Sequence, residues 1–87
     1  MIDEIKAVIA EYLDVEPSDL LDHQTLEDMK IDSLDFIEIM FEIEEAFDAP
    51  LTSEIQERKE EITNFGDVLR VTEEMIKEHR ATEAKKA

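Results

Sequence analysis

The stretch Lys30–Phe47, KIDSLDFIEIMFEIEEAF, decides the fold. Asp32 can cap a helix, and Asp35 stands three residues later, where a carboxylate favours the positive end of the helix dipole. Pro50 disfavours helical geometry in the residue before it, so the helix is expected to end near Asp48. Winding the sequence at 3.6 residues per turn sorts its side chains into three stripes. Phe36, Ile39, Met40, Ile43 and Phe47 share the face that must meet a core. Asp35, Glu38, Glu42 and Glu45 form a stripe of carboxylates roughly opposite, and Leu34, Ile37 and Phe41 form a second apolar stripe. One apolar stripe is enough to cover a core. A second one bordered by acids either packs under a neighbouring loop or stays exposed as a docking strip. Residues 32–48 hold 7 acids and no Lys or Arg. The like charges repel along the helix with no internal base to relieve them, so pairing is expected from a partner.

Working outward, Ile2, Ile5, Val8, Ile9, Tyr12 and Leu13 recur at three- and four-residue spacing and predict a helix from about Asp3 to Leu13. Residues 14–31 read as a long ordered loop, in which Leu20, Leu21, Leu26, Met29 and Ile31 anchor a chain of polar turn formers. Ser53 followed by Gln56 has the capping-box pattern and opens a short third helix. A last amphipathic helix is expected after Asn64, with Asp67 as its first-turn acid and Phe65, Val68, Leu69, Thr72, Met75 and Ile76 on one side. The expected fold is all-α: a small four-helix bundle, three helices longer and one short, with the long loop between helices 1 and 2. Residues 1–76 form the domain, and residues 77–87, which have no apolar partner, are expected to fray as a tail.

The chain of 87 residues fits one core. Its 25 acids against 9 bases give a net charge of -16, with 23 acids and 5 bases in residues 1–76 alone. Such a body repels nucleic-acid phosphates and anionic membrane surfaces and selects partners that carry basic patches. Without cysteine it has no disulfide framework, thiolate nucleophile or Cys zinc site. The acidic N-terminus and the lack of any apolar run long enough for a membrane span make a cytoplasmic monomer the expectation. His23 and His79 lack a ligand cluster at metal spacing, and no calcium-loop pattern is present. A hydrolase would need more than Ser33 and His23, because the nucleophile elbow G-x-S-x-G is missing; an enzyme is not expected.

By spacing alone, Ser33 is an ordinary first-turn serine. However, Asp32-Ser33-Leu34-Asp35 resembles the DSL signature of acyl carrier proteins. The likeness continues through Glu38, through Glu44-Glu45-x-Phe47, and through Ile62-Thr63 ahead of the last helix. The resemblance implies that Ser33 is esterified by the 4'-phosphopantetheine arm of coenzyme A through a phosphopantetheinyl transferase, and that acyl cargo rides on the arm as a thioester. It also implies that Asp35, Glu38, Glu44 and Glu45 are charged contacts, and Leu34, Ile37 and Phe41 apolar contacts, for acyl-processing enzymes with basic docking patches. Glu42 joins them from helix geometry, and Asp32 as a handle for the modifying enzyme. Phe36, Ile39, Met40 and Ile43 would wall the acyl pocket, with Phe36 narrowing it where relatives often have a smaller or β-branched residue. Lys30 stands where the family often has Gly, so the loop entering helix 2 is expected to follow a different backbone path. The segment between Phe47 and Ile62 is a few residues longer than in common members. An aminoacyl carrier, peptidyl or D-alanyl, would use the same serine and arm; an unmodified acidic docking module is the alternative outside carrier chemistry.

Overall fold

The computed structural model describes residues 1–86, with side chains described for residues 1–80. It contains α1 (Ile2–Leu13), α2 (Ser33–Phe47), α3 (Thr52–Glu57) and α4 (Phe65–Lys86), and no strand among the described residues. Helix α1 packs on α2 and α4, while α3 bridges α2 and α4. Ile5, Ile9 and Ala10 of α1 meet Phe36, Ile39, Met40 and Ile43 of α2 in the core. Leu51 and Ile55 enter from the α3 side, and Phe65, Val68, Leu69, Val71, Met75 and Ile76 from α4. The core-facing periodicities read from the sequence are therefore the packed faces, except that Ile2 of α1 stays exposed.

The long loop is tied to the bundle as its anchors predicted, although not by all five. Leu20 and Ile31 are buried and Leu26 and Met29 half-buried, whereas Leu21 is exposed. Backbone bonds contribute as well. The first amides of α4 have no partner inside their helix, and here Phe65 N donates to Gln24 O at 2.7 Å and Gly66 N to Asp22 O at 2.9 Å. Gly66 permits that approach, since a Cβ there would lie 3.1 Å from the Asp22 Cβ. Within the loop, Pro17–Asp19 forms a 3₁₀ turn closed reciprocally by Glu16 and Asp19, a turn the sequence reading did not separate from its surroundings.

Three turns, after α1, ahead of α2 and after α2, use the same device. The Val15 amide reaches back to Ala10 O at 3.0 Å, Ile31 to Leu26 O at 2.9 Å and Ala49 to Glu44 O at 3.2 Å. In each case the intervening residue is left-handed: Asp14 at φ 57°, Lys30 at φ 60° and Asp48 at φ 51°. This is the helix-ending geometry that glycine satisfies most easily. The backbone at Lys30 is thus one that a glycine would take freely.

Two helix boundaries differ from expectation. Helix α3 starts at Thr52 with no side-chain cap of its own, rather than at a Ser53 box. The Glu44 carboxylate of α2 replaces that box, accepting from Leu51 N at 2.7 Å and Thr52 N at 2.5 Å. Helix α4 begins after Asn64 as expected: Asn64 Oδ1 accepts from Asp67 N at 2.9 Å while Asp67 Oδ2 accepts from Thr63 N at 3.0 Å. Its helical bounds run to Lys86, past the point near Ile76 where apolar periodicity stops. Arg80 over the Phe47 ring, 5.8 Å from the centroid, and the Lys77–Glu73 ion pair engage the extra turn. The side chains of 81–87, most of the expected tail, lie outside the described residues.

Candidate functional site

Asp32 adopts extended geometry as the cap of α2, and its carboxylate accepts from Asp35 N at 2.8 Å. Ser33 is the next residue, exposed and first in a helix of 15 residues. Its hydroxyl has no hydrogen-bond partner among the described residues, nor do the Ser33 and Leu34 amides. The first turn therefore offers an accessible hydroxyl beside two open N–H donors at the positive end of the dipole. That is a setting in which a phosphodiester could be attached and partly neutralised. Thus the local chemistry fits a phosphate-linked group at Ser33.

The second apolar stripe does not pack under the loop. Leu34 is 66% and Phe41 53% exposed, with Ile37 half-buried between them. Burying an apolar side chain of this size is worth about 1.5–3 kcal/mol, and folding leaves much of that gain unused here. Glu38, Glu42 and Glu45 are exposed and Asp35 half-buried. No acid of α2 forms an ion pair among the described residues, while Arg58 pairs with Glu61 and Glu74 at 2.8 and 2.7 Å, and Arg70 with Asp67 and Glu74 at 3.6 Å each.

A contact invisible to pattern reading does reach the acids. The Tyr12 hydroxyl of α1 donates to Glu38 Oε2 and lies 3.4 Å from Asp35 Oδ1. The hydrogen bond to Glu38, some burial and the two negative charges push the phenol pKa up to about 12. The available signal was a tyrosine on the edge of the apolar face of α1, since a partly buried Tyr usually takes a polar partner for its tip. Glu44 has an internal task besides its expected outward one: although burial alone pushes its carboxyl upward, the Thr52 and Leu51 donors hold it net below its ordinary value. Phe36, Ile39, Met40 and Ile43 are all at most 4% exposed and pack together in the core.

A family profile described as "Phosphopantetheine attachment site" matches residues 3–70. The chain is similar to the acyl carrier protein of Wolinella succinogenes, with 35% identity over 74 residues, covering 84% of this chain and 93% of the relative. It is similar as well to that of Chlamydia trachomatis, at 33% over 73 residues, 83% of this chain and 91% of the relative. The acyl carrier protein of Helicobacter pylori is 33% identical over 75 residues, 85% of this chain and 92% of the relative. No solved structure gives a significant match. Among the described residues, no helix is long and apolar enough to cross a membrane.

Proposed function

Because the chain belongs to the acyl carrier family of phosphopantetheine-attachment domains, we propose that Ser33 is its attachment residue and that α2 presents acyl cargo to enzymes of fatty acid, lipid or polyketide synthesis. The protein is a carrier rather than a catalyst. The observation that supports Ser33 is its free, exposed hydroxyl at the first position of α2, inside the matched region. When bound, the arm supplies the thiol that holds an acyl group as a thioester, in a chain that has no cysteine.

The remaining roles belong to the chain itself. Asp32 holds the first turn in shape through its bond to the Asp35 amide, which keeps the Ser33 hydroxyl turned toward a modifying transferase. Leu34, Ile37 and Phe41 give a partner an apolar strip, and Asp35, Glu38, Glu42, Glu44 and Glu45, with Asp32 at the cap, steer basic patches onto it. Charged contacts of this kind raise the association rate more than the affinity, which suits a carrier that must leave each enzyme quickly. Phe36, Ile39, Met40 and Ile43 are the walls that an acyl chain would part to gain shelter.

The test is intact mass after incubating the apo-protein with coenzyme A and a broad-specificity phosphopantetheinyl transferase. Wild type is expected to gain one arm and Ser33→Ala none. An unchanged wild-type mass, or a gain that survives Ser33→Ala, would overturn the assignment of Ser33.

A further inference from the structure

A groove of about 450 Å³ runs between α1 and α2, lined by Val8, Glu11, Tyr12, Glu42, Glu45 and Ala46. It lies on the α1 side of the acid stripe, whereas Leu34 and Phe41 lie on the other. Val8, Ala46 and the Tyr12 ring supply its apolar surface, and the exposed carboxylates of Glu11, Glu42 and Glu45 line the rest. None of Glu11, Glu42 and Glu45 forms an ion pair or side-chain hydrogen bond among the described residues. The Tyr12 ring is held in place by its hydroxyl, which is spent on Glu38 and Asp35. The groove is therefore a preformed slot with a fixed aromatic wall and an unneutralised rim.

We infer that this slot receives an arginine side chain from a partner protein, as a second docking point beside the Leu34–Phe41 strip. The inference rests on the carrier reading above in one respect: that partners approach along α2. The chemistry selects arginine. Its methylene stem can lie on Val8 and Ala46, its flat guanidinium can stack against Tyr12, and its fork of donors suits carboxylates from two helices at once. Glu11 is the informative residue, because it belongs to α1 and to no acid stripe of α2. A partner that fills both points straddles the acid stripe and reads the α1–α2 pairing as well as α2 itself.

The experiment is a titration of the 15N-labelled full chain with an amphipathic helical dodecapeptide bearing two arginines one turn apart, and with the same peptide carrying neutral citrulline in their place. The arginine peptide is expected to shift the amides of Val8, Glu11, Tyr12, Glu42 and Ala46 saturably, and the citrulline peptide is not. Glu11→Gln with Glu42→Gln, both exposed and outside the core, should weaken binding about three- to tenfold, the sum expected of two exposed charge pairs. Shifts confined to the Leu34–Phe41 strip overturn the slot while leaving that strip as a docking surface. Shifts spread over every acid and matched by potassium chloride overturn it as general screening. Groove shifts that depend on protein concentration without peptide overturn it in favour of a second copy of the chain. The Ser33 mass assay reads the carrier assignment independently of all these outcomes.

Discussion

At the scale of single residues, cost and purpose separate most clearly at Lys30 and Tyr12. Lys30 holds φ 60°, a conformation that disfavours an L side chain by about 1–2 kcal/mol, against which glycine's extra freedom when unfolded must be set. Lys30→Gly is expected to raise stability by about 0.5–1 kcal/mol in denaturant unfolding, and a loss would mean that the ammonium contributes more than its backbone costs. The sequence marked this position as unusual without revealing its conformation, because a left-handed φ leaves no trace in residue type when lysine occupies it. Tyr12 is the only tyrosine, so its ionisation can be followed alone by ultraviolet absorbance. Its folded pKa, about 12, lies above the ordinary 10. The tie to Glu38 thus stabilises the fold fully below pH 10 and is lost as pH rises toward 12. The absorbance midpoint should fall toward 10 in Glu38→Gln; an unchanged midpoint would assign the shift to other groups.

At the scale of elements, the helices were legible wherever their stability comes from their own sequence. The apolar stripes of α1, α2 and α4 repeat often enough to identify themselves, and the Asn64–Asp67 pair marked the start of α4 correctly. Helix α3 spans only 6 residues, too few to be stable alone, and its start is set by a carboxylate 7 and 8 residues upstream. A local window finds Ser53 and cannot see Glu44. Removing that carboxylate by Glu44→Ala should cost about 1–2 kcal/mol and release the Leu51 and Thr52 amides to hydrogen exchange before those of α2. Because the folded pKa of Glu44 is depressed, the same contribution is present above the unfolded carboxylate range near 4.3. It disappears as pH falls through the folded value. Exchange at α3 that stays slow in the variant would show that Ile55 alone holds the element.

At the scale of the whole molecule, charge was the most legible property and the distribution of its relief the least. The net -16 predicts self-repulsion, and the melting temperature should rise on adding salt or millimolar magnesium, since the screening length shrinks to about 8 Å at physiological ionic strength. A flat response would indicate that the acids are compensated within the fold. Ion-pair compensation lies with Arg58 and Arg70 on the α3–α4 side, while no carboxylate of α2 forms an ion pair among the described residues. The position of Ser33 at the start of α2 could be read because the DSL pattern and the helix cap coincide in sequence. The α1–α2 groove could not, because it arises only when two distant stripes, Val8–Tyr12 and Glu42–Ala46, are laid side by side. Tyr12, standing in that groove with its hydroxyl against carboxylates, gives the molecule an optical property as well. In a chain without tryptophan it is the sole long-wavelength emitter, dimmed by its acidic neighbours, so an enzyme arriving at this face would announce itself as a change in native fluorescence with no label attached.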